Sequence, residues 1–189
     1  MMYDTRAYTP DGSGHGTGQA SNDKELVLQA MREYGRSKAA QLQEASADMT
    51  GTELYAQEQY IPDFQAARAT QNMMTRNAGR KNGFVCRSTA GRVVRLIQNY
   101  DSDERPGEPE TLPAQWGFVR STDPRKALPF VALADSPYNT KDCCIYPAED
   151  GVNHVYWFGQ DGNVWPPQTI NVKWTDLGPV GGPFVEEEA

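Results

Sequence analysis

The hydrophobic positions follow a helical spacing up to about residue 80 and a different pattern after it. Asn22 and Glu25 have the spacing of a capping box, which marks the start of an α-helix. Apolar residues then recur every three or four positions, as on one face of a helix. They are Val27, Met31, Tyr34, Leu42, Ala45 and Met49. The pattern predicts a helix over about 23–47 whose narrow, alanine-rich stripe suits contact with another helix.

A second helical stretch surrounds Pro62 and precedes Gly79, a residue type that often ends a helix. It reads TELYAQEQYI before the proline and DFQAARATQNMMTRN after it. The first twenty residues include DGSGHGTG, whose glycines carry too little side chain to pack. We therefore expect a flexible arm at 1–20 and a helical assembly region at 21–80.

From residue 81 to 178 the chain reads as short strands broken by Gly, Pro, Asn and Asp. The predicted strands are GFVCRS, RVVRLIQNY, WGFV, FVALA, DCCIY, HVYWFG and KWTDL. The remaining residues, 179–189, are rich in Gly and Pro and end in acidic residues, so we expect an extended tail. The predicted fold class is α+β, with N-terminal helices followed by small antiparallel β units.

Composition limits the classes of partner. The formal net charge is -7, which disfavours nucleic acid because binding to phosphates requires a surface rich in Lys and Arg. Hydrophobic residues make up only 38% of the chain and the mean hydropathy is -0.69, which suggests packing against partners, a homo-oligomer among them. No apolar run approaches roughly eighteen residues, and the first twenty residues lack a hydrophobic signal region, so we expect no membrane span and no Sec-type signal.

Catalytic and metal-binding patterns are weak. The two histidines, His15 and His154, lie in the arm and at a strand start, which argues against a hydrolytic triad. The carboxylates cluster in loops rich in Pro and Gly, as solvated charges do, and show no EF-hand spacing. Cys86, Cys143 and Cys144 form neither a disulfide framework nor a zinc motif, and we interpret them as buried thiols. We expect no enzyme activity, no cofactor and no metal.

Two segments of the β region, about 83–119 and 138–178, share one plan. Cys86 lies 30 positions before Trp116, and Cys144 lies 30 positions before Trp174. In each segment a Cys-bearing strand, a turn, a second strand and a loop with proline precede a strand that starts at the tryptophan. Because Trp116 and Trp174 recur, we interpret them as core residues.

The two repeats resemble a known class of small sugar-binding domain. The stretches that carry the resemblance are VVRLIQNYDSDERPGEPETLPAQW at 93–116 and HVYWFGQDGNVWPPQTINVKW at 154–174. They resemble carbohydrate-binding modules of the chitin-binding type, families five and twelve, and especially the versions found in phage tails. The resemblance implies a three-stranded antiparallel unit in each repeat and sugar contact through exposed aromatic rings.

Carried over by position, the resemblance assigns carbohydrate binding to Tyr156, Trp157 and Trp165. Alternation along a strand puts Tyr156 and Trp157 on opposite faces, so only one of them can face a ligand. The first repeat has no such aromatic residues. Its second strand, aligned by sequence, puts Val94, Arg95 and Leu96 at the positions of Val155, Tyr156 and Trp157.

These observations lead to one functional hypothesis and two alternatives. The first is a structural protein of a bacteriophage virion, tail-associated, which binds a bacterial surface polysaccharide and contacts other virion proteins. It would be made in the host cytoplasm and located in the phage particle. The alternatives are a purely structural neck, collar or capsid decoration protein, and a non-catalytic accessory module of a cell-wall-degrading assembly.

Overall fold

The computed structural model describes residues 17–70 and 84–184. Helices occupy its first part, namely α1 (Thr17–Ala45), α2 (Gly51–Ala56) and α3 (Phe64–Thr70), with a 3-10 turn at Glu58–Tyr60. The helix α1 confirms the prediction over 23–47, but it begins inside the predicted arm. The rest of that arm, the predicted helix end at Gly79 and the last five residues of the tail lie outside the described residues.

Two small sheets follow the helices, so the predicted α+β class is confirmed. Their strands are β1 (Val85–Arg87), β2 (Val93–Leu96), β3 (Trp116–Phe118), β4 (Leu128–Pro129), β5 (Cys143–Pro147), β6 (Asn153–Phe158) and β7 (Trp174–Pro179). The first sheet is the antiparallel meander β1-β2-β3. The second sheet has the order β4-β5-β6-β7, and its β5, β6 and β7 are antiparallel while β4 joins β5 in parallel.

The predicted strand FVALA at 130–134 is wrong, because the chain leaves the sheet there. The backbone N–H of Phe130 still donates to Ile145 O at 2.9 Å. The next N–H, that of Val131, donates to the Tyr138 hydroxyl at 3.2 Å and no longer to a strand. The strand in this region is the two-residue β4, just before the predicted one.

The chain divides into two compact units, residues 1–37 and residues 38–189. The described part of the first unit is the N-terminal portion of α1. Five large apolar side chains of this portion are exposed, namely Leu26, Val27, Leu28, Met31 and Tyr34. We call them the exposed helix face; Val27, Met31 and Tyr34 lie on one side of the helix, and Leu26 and Leu28 flank that side. Since the helix is not apolar all round, burial against a partner is the ordinary use of such a face.

In the second unit, both faces of the first sheet are covered. One face carries Val85 and Val93 and packs against Leu42 of α1 and Leu54 of α2. The other face packs against α3 and contains Trp116, which is fully buried and meets the rings of its neighbours edge-on. The side chain of Gln43 also closes the edge of β1, since it donates to Val85 O at 2.6 Å and accepts from Val85 N at 2.9 Å.

The second sheet is also covered on both faces. One face is aromatic and consists of Phe130, Tyr138, Cys144, Tyr146, Tyr156, Phe158, Val172 and Trp174. The opposite face is mainly aliphatic and consists of Ala127, Cys143, Ile145, Val155, Trp157, Leu177 and Phe184. We call these the aromatic face and the aliphatic face. The alternation of side chains along β5 and β6 produces this division.

Arg120 connects the two sheets. Its Nη2 donates to Val131 O at 3.2 Å and to Ser136 O at 2.8 Å, and its guanidinium lies 3.5 Å from the centroid of the Tyr138 ring. The backbone of the same residue meets α2 so closely that a Cβ on Gly51 would lie 1.6 Å from Arg120 O. Glycine is therefore required at the start of α2, where the helix touches the connection between the sheets.

The strand registers show which residues of the meander β1-β2-β3 are equivalent to residues of β5-β6-β7 in the second sheet. Cys86 pairs with Val94 in the first sheet, as Cys144 pairs with Tyr156 in the second. Leu96 pairs with Trp116, as Phe158 pairs with Trp174. Val94 therefore corresponds to Tyr156, and the sequence alignment that put Val94 at the position of Val155 is wrong by one residue.

Candidate functional site

The connection from β6 to β7, residues 159–173, carries the exposed tryptophan, and we call it the Trp165 loop. Two contacts attach its start to the segment before β5. The backbones of Asn163 and Tyr138 exchange two hydrogen bonds of 2.7 and 2.9 Å. The Asp161 carboxylate accepts from the backbone N–H and the hydroxyl of Thr140, both at 2.8 Å. The loop is thus fixed at its base.

The buried side chain of Asn163 then fixes the backbone of Trp165. Its Nδ2 donates to Trp165 O at 2.8 Å, and its Oδ1 accepts from Trp165 N at 2.9 Å. The same carbonyl accepts from the indole Nε1 of Trp174 at 3.0 Å. Two prolines follow Trp165 and restrict φ along the next two residues. The main chain of Trp165 is therefore held from both sides.

The ring of Trp165 is exposed, in contrast to its backbone. Trp165 as a whole residue is 61% accessible to solvent, and Ile170 of the same loop is 86% accessible. Deleting the ring would break none of the three hydrogen bonds to Trp165, because all three involve its main-chain atoms. An aromatic ring displayed on a fixed backbone loses little conformational entropy when it stacks on a ligand.

Tyr156 and Trp157 lie on opposite faces of β6, as predicted, but neither offers an open ring. Tyr156 is only 6% exposed and is part of the aromatic face. The assignment of Tyr156 to sugar contact stays a prediction, and the other members of the aromatic face leave its ring little open surface for stacking. Trp157 is half-buried against the aliphatic face, on the side of the sheet away from Tyr156. The structure does not bring the three predicted residues together into one surface.

Below the loop, the aromatic face forms a continuous support. The rings of Phe130 and Tyr138 stack with centroids 5.2 Å apart, and the Trp174 ring meets that of Tyr138 at 5.2 Å and that of Phe158 at 5.0 Å. Burial raises the pKa of the Tyr138 hydroxyl to about 12. This packing explains why Trp174, which provides a hydrogen bond to the loop, has a fixed position.

A polar cluster that the sequence did not reveal lies on the same face. The Nδ1 of His154 lies 2.9 and 2.8 Å from the two carboxylate oxygens of Asp176. Burial, and then the nearby charge of Asp176, raise the pKa of the Tyr156 hydroxyl to about 12. The Gln168 side chain of the Trp165 loop also reaches Tyr156 and donates to Pro147 O at 2.9 Å. The cross-strand pairing of β6 and β7 brings these groups together, and no spacing along the chain indicates it.

In the first sheet, the equivalent connection from β2 to β3 has a different arrangement. Its aromatic residue, Tyr100, is buried and lies edge-on to Trp116 at 5.6 Å. The Tyr100 hydroxyl donates to Arg105 O at 2.6 Å, which folds the loop onto itself. The first meander thus places its loop aromatic in the core, whereas the second exposes it.

The three cysteines are buried thiols, and the described carboxylates form no metal-binding group with them. The three cysteines are free and buried, and burial raises the pKa of the Cys143 thiol to about 12 and that of Cys144 further. Such thiols stay protonated and are poor nucleophiles. Within residues 17–70 and 84–184, no group of three or more His, Cys, Asp or Glu side chains could hold a metal ion.

Comparison with known proteins adds no relative. No protein-family model, no curated protein and no solved structure matches this chain. Among the described helices, none combines the length and the apolar character needed to cross a membrane.

Proposed function

We propose that this chain is a structural protein of a bacteriophage virion, tail-associated, which binds a bacterial surface polysaccharide through Trp165. It has no catalytic role in this proposal. The observation that carries the proposal is the contrast at Trp165 between a backbone held by Asn163 and Trp174 and a ring that is mostly in solvent. The resemblance of residues 83–178 to sugar-binding modules motivates the choice of ligand and of the virion setting.

A solvated tryptophan is useful for contact because it offers a large apolar surface. A pyranose has an apolar C–H face that can cover such a ring, and its hydroxyl groups can reach polar side chains beside it. A purely structural tryptophan would gain stability by burial, as Trp116 does in the first sheet. The exposure of Trp165 therefore favours a role in binding.

The exposed helix face supports the assembly part of the proposal. It presents five large apolar side chains on one short part of α1. A contact of this face with a second copy or with another virion protein would remove them from water. This observation is also compatible with the purely structural alternative, so it does not separate that alternative from a sugar-binding protein.

Retention on insoluble cell walls of candidate host bacteria tests the proposal. The full chain, the variant Trp165→Ala and the variant Ile170→Ala would be compared by co-sedimentation. Ile170 is the matched control because it is the more exposed apolar residue of the same loop. We expect the wild type and Ile170→Ala to be retained, and Trp165→Ala to lose retention by about tenfold or more, as for an aromatic residue that dominates an interface.

Thermal unfolding of each variant provides the control for folding. We expect Trp165→Ala to unfold cooperatively near the wild-type midpoint, because its side chain makes no hydrogen bond in the structure. Equal retention of all three proteins, or no retention of the wild type on any cell wall, would contradict the proposal.

A further inference from the structure

We propose that Asp176 and His154 form the polar half of the saccharide site and give it a preference for neutral or amino-bearing sugars over acidic ones. This inference rests on the proposed function, since it concerns the ligand that contacts Trp165. It adds a class of sugar and two residues that neither the sequence nor the resemblance indicated.

Asp176 has the geometry of a hydrogen-bond acceptor for a ligand. Its Oδ1 accepts from the backbone N–H of Gly178 at 2.8 Å, and both oxygens lie within 3 Å of His154 Nδ1. These contacts fix the carboxylate, yet 43% of its side chain remains exposed. The Tyr156 hydroxyl hydrogen-bonds Asp176 as well, so a hydroxyl or amino hydrogen of a sugar would reach the exposed part of the carboxylate beside these three protein contacts.

His154 is oriented by the same contact. Since an ionised carboxylate only accepts hydrogen bonds, Nδ1–H of His154 must donate to Asp176, and Nε2 is the ring nitrogen left for a ligand. No other described residue hydrogen-bonds His154 Nε2. The imidazole also lies against the Tyr156 ring, with the two centroids 6.3 Å apart. His154 therefore presents Nε2 in a fixed direction, with 20% of its side chain accessible.

The cluster lies along the same strand as the anchor of Trp165. Trp174, whose indole donates to Trp165 O, begins β7, and Asp176 is the next residue of β7 on the aromatic face. Side chains two positions apart on a strand are separated by about 7 Å. β7 is the edge strand of the sheet, so no further described strand pairs beside Trp174 and Asp176.

The backbone between these two points is strained. Gln168 has φ of 70° and Asn171 has φ of 67°, both in the left-handed region. Asparagine tolerates this conformation, but glutamine adopts it rarely. The strain places the Gln168 side chain between Pro147 and Tyr156, beside the polar cluster. Strained residues of this kind concentrate where a loop is shaped for a ligand.

The charge of the site determines which sugars it admits. Asp161 lies at the base of the loop and Asp176 near its end, and Lys173 is the basic residue of the loop. With His154 neutral, a uronic acid or a phosphorylated sugar would bring a like charge to Asp176, which is unfavourable, whereas hydroxyl and amino groups donate to it.

A glycan array with neutral, amino-bearing and acidic oligosaccharides of bacterial surfaces tests this inference on the full chain. The variants are Asp176→Asn, which removes the charge and keeps the shape, and His154→Gln. Glu104→Gln is the matched control, because it removes one exposed carboxylate in the first sheet's loop. Trp165→Ala is included to establish that any signal depends on the proposed site. Thermal unfolding confirms that each variant is folded.

We expect the wild type to bind neutral or amino-bearing glycans more strongly than acidic ones. We expect Asp176→Asn to weaken that binding about tenfold and to raise the relative signal of acidic glycans, and His154→Gln to weaken binding several-fold. Glu104→Gln should bind as the wild type does. Binding that requires Trp165 but prefers acidic glycans, or that Asp176→Asn and His154→Gln leave unchanged, would overturn this inference alone. A wild type that binds no glycan would overturn the proposed function together with it.

Discussion

The variant Asn163→Ala tests whether binding depends on the position of the Trp165 ring as well as on its presence. The substitution removes the two hydrogen bonds that the side chain makes with Trp165 N and O. It leaves the two backbone hydrogen bonds between Asn163 and Tyr138 intact. Trp165 O keeps its bond from the Trp174 indole, whereas Trp165 N loses its acceptor. The ring itself is unchanged.

The size of the effect follows from these contacts. Each lost hydrogen bond contributes about 1 kcal/mol, and a part-buried N–H left without a partner costs about 1 kcal/mol more. We therefore expect the free energy of unfolding to fall by about 2–3 kcal/mol. Retention on the polysaccharide should also weaken, because the ring must now be ordered on binding.

Urea unfolding followed by circular dichroism measures the first effect, and cell-wall co-sedimentation measures the second. Asn153→Ala is the control, since Asn153 is an exposed asparagine of β6 whose side chain makes no described hydrogen bond. It should change stability by less than about 0.5 kcal/mol. An Asn163→Ala protein as stable and as well retained as this control would refute the argument that Asn163 positions Trp165.

Two further predictions concern the core and the base of the loop. Trp116→Ala should destabilise the fold by about 4 kcal/mol in urea unfolding, because Trp116 is fully buried; a loss below about 1 kcal/mol would contradict the described core. The hydrogen bonds from Thr140 hold the pKa of Asp161 below its usual value of about 3.9. The unfolded chain then binds a proton at higher pH than the folded chain, so the stabilisation is present above about pH 4 and is lost as the pH falls through the folded pKa. The gap in Tm between wild type and Asp161→Ala should therefore narrow as the pH falls below about 4, and a gap that does not change with pH would contradict this.

Local patterns were sufficient to predict most of the elements. The three- and four-residue spacing of apolar positions predicted α1, and runs rich in Val, Tyr and Trp predicted β5, β6 and β7. The prediction of an exposed ring at Trp165 came from the resemblance to sugar-binding modules, and the structure shows that residue exposed. The burial of Trp116 followed from its recurrence as Trp174.

The features that the sequence did not reveal depend on contacts between distant residues. Alternation assigns Tyr156 to one face, but the residues that cover that face come from the segment around Tyr138 and from the Trp165 loop. The strand β4 has two residues and too little sequence to show a period. The one-residue error at Val94 arose because the two hairpin turns differ in length, which only the pairing with Cys86 resolves.

The indole N–H resonances of the four tryptophans offer the most direct measurement of the central claim. In a titration of the full chain with oligosaccharides released from host cell walls, the spectrum of Trp165→Phe would identify the Trp165 signal. We expect that signal to shift on binding, while the signal of the buried Trp116 stays in place. A titration in which binding occurs and the Trp165 resonance does not move would contradict the claim that this ring contacts the saccharide.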